Sequence, residues 1–97
     1  MPKGYWIVNN LVTDPAAYAA YRDANAAPLA EYGGRFLVRA GTQEVREGPA
    51  NPRTVVIEFP SLEAARACYD SAGYQAAIAL RAGAATGAFI IVEGYGD

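Results

Sequence analysis

Two consecutive glycines, Gly33 and Gly34, stand where a helical pattern ends and an alternating one begins, and they constrain this chain more than any other pair. A glycine just past a helix adopts the left-handed backbone conformation without steric cost, so the chain can reverse there. The stretch Tyr32-Gly33-Gly34-Arg35-Phe36-Leu37-Val38-Arg39-Ala40-Gly41 therefore predicts a helix end, a turn and a strand in succession. From Arg35 onward simple alternation assigns Phe36 and Val38 to one face and Arg35, Leu37 and Arg39 to the other.

The elements on either side follow from period and punctuation. Gly4 to Val12 alternates β-forming residues with few charges and reads as a central strand buried on both faces. Thr13-Asp14-Pro15 is a helix start, with Thr13 or Asp14 as the cap and Pro15 in the first turn. Tyr18, Tyr21, Asn25, Pro28, Leu29 and Tyr32 recur at helical spacing and define the face that packs on the sheet. Pro28 cannot bond the carbonyl of Ala24, which predicts a kink or restart near Asn25 to Ala27. The Asn25 amide then either satisfies the freed carbonyl or contacts a ligand.

Beyond Gly41, taken as a bulge or bend, Thr42 to Glu47 continues as a polar, edge-like segment, and Gly48 to Pro52 is a turn. Arg53 to Phe59 is the clearest strand, with Val55, Ile57 and Phe59 on one face. Ser61 caps a second helix, Ser71-Ala72-Gly73 interrupts it, and a further helical turn carries Tyr74, Ala77, Ile78 and Arg81. Arg81 either snorkels outward or bonds the end of the preceding element. Ala88 to Tyr95 is the last strand.

Strand, helix, strand, strand, helix, strand is the order of a ferredoxin-like α+β domain, an antiparallel four-stranded sheet with two helices on one face. At 97 residues the chain is one domain, residues 1–97, expected to bury roughly 60–70% of its unfolded surface. If Ile90 and Val92 join Trp6 and Val8 under the helices, the far face carries Tyr5, Ile7, Leu11, Leu37, Val56, Phe89 and Ile91. A second copy of the sheet is the expected cover for such a face, which predicts a homodimer. Arg39 and Glu58 fall on that face on neighbouring strands, as a buried ion pair or as an anion-binding or proton-handling pair.

Composition excludes several functions. The net charge of −2 offers no electrostatic footprint for nucleic acid or an anionic membrane. Arg53 to Phe59 also lacks the glycine-aromatic pattern that stacks RNA bases. With no histidine and one cysteine, neither a metal site nor an internal disulfide is expected. Cys68 reads as a small buried residue. Pro2-Lys3-Gly4 leads directly into a strand and no apolar run reaches ~18 residues, so the expected location is cytoplasmic.

The blocks Gly4-Tyr5-Trp6-Ile7, Asp14-Pro15-x-x-Tyr18-x-x-Tyr21, Tyr32 to Arg39, Val56-Ile57-Glu58-Phe59-Pro60-Ser61, Tyr69-x-Ser71-x-x-Tyr74-Gln75 and Ile91-Val92-Glu93-Gly94 together resemble the bacterial family called domain of unknown function 1330. The resemblance covers nearly the whole chain and implies a dimeric α/β barrel. Relatives often carry histidine where Tyr32 stands and Arg-Gly-Gly where this chain has Arg39-Ala40-Gly41, so no histidine chemistry carries over. The family supplies no agreed reaction.

Three functions remain. The first is binding of a small apolar or aromatic molecule between the first helix and the sheet, by candidates Tyr18, Tyr21, Asn25, Arg39, Glu58, Tyr69, Tyr74 and Arg81, without a cofactor. The second is a cofactor-free enzyme resembling the monooxygenases, isomerases and dehydratases of wider barrel relatives. There Glu58 or a tyrosine would move a proton and an arginine would stabilise an anion. The third is a structural or protein-interaction dimer whose tyrosines are simply core.

Overall fold

A computed structural model describes residues 2–96. Its elements are β1 (Gly4–Val12), α1 (Pro15–Glu31), β2 (Arg35–Arg39), β3 (Arg53–Phe59), α2 (Leu62–Asp70), α3 (Ala72–Leu80) and β4 (Ala85–Glu93). The strands form one sheet in the order β2-β3-β1-β4, every neighbouring pair antiparallel. This is the ferredoxin-like arrangement, with the second helical segment split into α2 and α3.

Capping explains the helix boundaries. Asp14 caps α1 by accepting from Ala17 N at 3.2 Å, and Pro15 occupies the first turn. Ser61 accepts from Ala64 N at 3.0 Å to start α2. Ser71 ends α2 and begins α3, accepting from Tyr74 N at 3.2 Å while donating to Cys68 O at 2.7 Å. The two glycines close α1 as a Schellman motif. Gly34 N donates to Leu29 O at 2.8 Å and Gly33 N to Ala30 O at 3.3 Å, with Gly33 at φ +75°.

The core lies between the sheet and the helices. Trp6 and Val8 from β1 and Val55, Ile57 and Phe59 from β3 meet Tyr18, Tyr21, Leu29, Ala65, Cys68, Tyr74 and Ala77 from the helices. Trp6 touches four aromatic rings, those of Phe59, Tyr69, Tyr74 and Phe89. α1 packs mainly on α3 and meets the sheet chiefly through its side chains. Tyr18 and Tyr21 are the large side chains on that face.

Four expectations change. α1 continues through Pro28 without a restart, and the lost N–H is absorbed near the end of the helix. Residues 40–52 form no strand; Ala40 is left-handed at φ +57° and the segment leaves the sheet there. The bulge lies between Phe36 and Val38 rather than at Gly41. It therefore turns Arg39 to the helix side, opposite Val55, and Val38 to the outer side, opposite Val56. β4 begins at Ala85, and its faces are the reverse of the expected ones. Trp6 pairs with Ile91 and Val8 with Phe89, so Phe89 and Ile91 share the helix side while Ile90 and Val92 point outward.

The outer face is divided. At one end Asn9 holds the segment before β3. Its Nδ2 donates to Asn51 O and Thr54 Oγ1, both at 3.0 Å, and its Oδ1 accepts from Asn51 N at 2.8 Å. Toward the other end Ile7, Val56, Ile90 and Val92 form an apolar strip across β3, β1 and β4.

The turn after α1 gives a direct test. In Gly33→Ala the new Cβ would sit 3.1 Å from Pro60 Cγ in a backbone conformation that disfavours it. The expected loss is about 1–2 kcal/mol in urea unfolding. Gly41→Ala, with no neighbour within 4 Å, is expected to stay within about 0.5 kcal/mol of the unaltered chain.

Candidate functional site

The sheet's inner face carries two clefts, both lined in part by Tyr18 and Tyr21. The first cleft is a narrow space continuous with solvent. Trp6, Val8, Phe36, Val55, Ile57 and Phe89 supply its apolar surface. Arg22, Asn25, Arg39 and Arg53 supply its polar groups. The second cleft lies toward β4 and is lined by Asn10, Arg81 and residues 85–89 together with Val8, Tyr18 and Tyr21.

Two tyrosine hydroxyls organise the walls. Tyr18 Oη accepts from Arg53 NH1 at 2.9 Å and from Asn10 Nδ2 at 3.2 Å. Tyr21 Oη and Tyr74 Oη share a short buried hydrogen bond. Arginines cover the rings: Arg53 lies 4.8 Å from the Tyr18 centroid, Arg81 4.8 Å from that of Tyr21, and Arg39 4.3 Å from that of Phe36. Cation–π attraction therefore places three guanidinium groups around the cleft mouths. No acidic side chain lines either cleft among the described residues.

Burial sets the proton chemistry of two groups here. Tyr74 is pushed well above the usual phenol range by burial, then by Tyr21 beside it, with Arg81 opposing. It stays a neutral hydroxyl and is no ready base at neutral pH. Cys68 is fully buried, donates to Pro28 O at 3.5 Å, and is pushed up to about 12 by burial and then by Glu31. Such a thiol is structural.

The sequence-derived candidates separate into distinct places. Tyr18, Tyr21, Asn25 and Arg39 meet in the first cleft, and Arg81 lines the second. Asn25 is 6% exposed, and its amide lines the cleft instead of serving the Ala24 carbonyl. Tyr74 lies behind Tyr21, and Tyr69 packs against Trp6 and Phe89 in the aromatic core. Glu58 is on the opposite face of the sheet. Its expected partner Arg39 is replaced by Arg35 at 3.0 Å, and Tyr5 Oη donates to it at 3.3 Å. The bulge accounts for the exchange, since it sends Arg39 inward while Arg35 remains opposite Glu58.

Asn10, Arg22 and Arg53 were not among those candidates. Strand parity marks two of them, because Asn10 lies two residues beyond Val8 and Arg53 two before Val55, each on a buried face. Among the described residues no group of histidine, cysteine, aspartate and glutamate is placed to hold a metal. Nor is any helix there long and apolar enough to cross a membrane.

Sheet order, helix placement and the inner-face clefts define a ferredoxin-like α+β protein. The domain of unknown function (DUF1330) matches residues 3–95, and the chain belongs to that family. No curated protein matches it in sequence. Among solved structures it is similar to the RPA0582 protein of unknown function from Rhodopseudomonas palustris, with TM-score 0.77 and 17% identity, over 99% of this chain and 85% of that one. It is also similar to SnoaB, a cofactor-independent oxygenase from Streptomyces nogalater, with TM-score 0.64 and 14% identity, over 100% and 97% of the two chains. A candidate antibiotic biosynthesis monooxygenase from Caulobacter crescentus gives TM-score 0.56 and 20% identity, over 99% and 92%. At these identities the likeness is one of fold.

Two measurements probe the buried groups. Tyr21→Phe and Tyr74→Phe each strand one buried hydroxyl and are expected to cost about 1–3 kcal/mol of unfolding free energy. The double variant strands neither, so it should lose clearly less than the sum; additive losses would show the two hydroxyls to be uncoupled. The Cys68 thiol is expected to resist a disulfide reagent at pH 8 in the folded protein and to react once denaturant is added.

Proposed function

We propose that the protein is a cytoplasmic homodimer that binds a small, largely apolar or aromatic molecule between α1 and the sheet. The observation that carries this reading is the first cleft itself. Its aromatic and aliphatic walls hold the amide of Asn25 and the arginines that could orient a ligand, which is the usual composition of a small-molecule site. Fold likeness to a cofactor-independent oxygenase supports a second reading, a cofactor-free enzyme acting on such a molecule. Because unrelated functions share this fold, binding is the better supported of the two.

The dimer is inferred from the outer face. Ile90 is 51% exposed, Val92 43% and Val38 40%, on the face of the sheet that no helix covers. A contiguous apolar strip of this kind is what a second copy of the same sheet would cover. Polar Asn9 and Thr54 at one end are already engaged with the 40–52 segment, which leaves the apolar end for the partner.

Native mass spectrometry of protein purified gently from its own host addresses both claims. The expected spectrum shows a species at roughly twice the 10.2 kDa chain mass carrying a discrete additional mass. Replacing Ile90 and Val92 together by glutamate is expected to give a folded monomer. A bare dimer would favour an interaction role, and a monomeric unaltered chain would remove the two-sheet arrangement.

A further inference from the structure

Within the second cleft the accounting of hydrogen bonds does not close. Asn10 Oδ1 and Arg81 Nε are buried with no hydrogen-bond partner among the described residues, although the Arg81 guanidinium also interacts with the Tyr74 hydroxyl, and both residues line this cleft. Asn10 is only 7% exposed. Two such groups left unmet on residues that line one cleft are costly, and a small side-chain shift that opened them to an occupant would satisfy both.

The Tyr18 hydroxyl identifies the polarity of that occupant. Its oxygen accepts from Arg53 and from Asn10 Nδ2, which leaves its own proton without a partner. Turning the Asn10 amide over by 180° lets Tyr18 donate to Oδ1 while still accepting from the arginine. The Asn10 NH2 group then takes the place of the unmatched oxygen. The cleft now offers two N–H donors, from Asn10 and Arg81, and no acceptor between them.

Charge narrows the choice. Arg81 is a permanent cation, Arg53 stands on the other side of Tyr18, and no acidic side chain lines either cleft among the described residues. Water could occupy the donors but would leave the positive potential uncompensated. A carboxylate does both, accepting from the two N–H groups and supplying the missing negative charge. Val8, Ala85, Ala88 and Phe89 leave an apolar bed for the remainder of such a ligand.

We propose that the second cleft is a carboxylate-binding site, in which Asn10 and Arg81 hold the acid group of a small aromatic or apolar acid. The inference deepens the binding function proposed above by naming the chemical class of ligand, and it rests on a cleft that can be examined separately.

Benzoate is a suitable probe, with benzamide and benzyl alcohol as neutral counterparts of similar shape. Titration followed by 1H–15N spectra of the arginine Nε–H groups reports both clefts at once. Saturable binding of benzoate that shifts the Arg81 Nε–H signal, at least ~10-fold stronger than binding of either neutral compound, is the expected result. Arg81→Lys keeps the charge but removes the Nε–H, and Asn10→Asp sets a carboxylate against the ligand. Each is expected to weaken benzoate by ~10-fold or more while the near-ultraviolet circular dichroism of the folded protein persists. Equal binding of benzamide would overturn the charge argument. Absence of binding would mean that ordered water alone fills the cleft and would overturn the site. If benzoate moved only the Arg39 and Arg53 signals, the second cleft would be excluded while the first-cleft reading stood.

Discussion

The indole of Trp6 fixes the relation between the sheet and everything laid on it. Its Nε1 donates to the carbonyl of Ala65 at 3.0 Å, inside the core, so β1 and α2 are joined by a directional bond as well as by packing. Around that bond the rings of Phe59, Tyr69, Tyr74 and Phe89 close on the indole from β3, α2, α3 and β4. A residue at 1% exposure with its one polar atom satisfied cannot slide by a single position without losing both. The register of β1 therefore also sets the positions further along the same face: Val8 at the floor of both clefts, and Asn10 beneath Tyr18.

The clefts exist because tyrosines rather than short aliphatic residues bridge α1 to the sheet. Phenol rings are long and rigid, and each ends in a hydroxyl that needs a partner when buried. Tyr18 finds Arg53 and Asn10 on adjacent strands, while Tyr21 finds Tyr74 on α3. These bonds tie α1 to the sheet and to α3 at defined points. The arginines stacked on the rings complete the structure, and they also concentrate positive charge inside a protein whose net charge is −2. Local potential in the clefts is thus opposite in sign to the molecule as a whole, a distribution that overall charge conceals.

Periodicity and punctuation made most of the fold legible. Asp14, Ser61, Ser71 and the Gly33-Gly34 pair begin or end the helices where capping chemistry says they should. Side-chain direction was legible only where a strand was regular. One extra residue between Phe36 and Val38 exchanges the faces of the rest of β2, and nothing in Arg-Phe-Leu-Val-Arg marks the position of the bulge. β4 failed for another reason: Ala85 to Ile91 is apolar enough on both faces that alternation gives no preference, and only pairing with β1 decides it. Asn10 and Arg53 were legible in principle, since their parity with Val8 and Val55 puts polar tips on a buried face. Their meaning depends on Tyr18, which reaches them from a different element.

The same geometry limits the chemistry that the clefts can support. Proton abstraction requires a base near its working pH, but no carboxylate lines either cleft among the described residues, Glu58 lies on the other face, and burial holds Tyr74 in its protonated form. What the walls do provide is hydrogen-bond donors, permanent cations and aromatic surface. Such a site can orient a molecule and stabilise negative charge on an oxygen that is already acidic, and Tyr18 holds two of the donor side chains, Arg53 and Asn10, in place. Any reaction accommodated here would draw its reactivity from the ionised ligand itself, with the protein supplying position and potential. Binding and catalysis on this scaffold accordingly differ less in the residues required than in how readily the bound molecule reacts once its anion is stabilised.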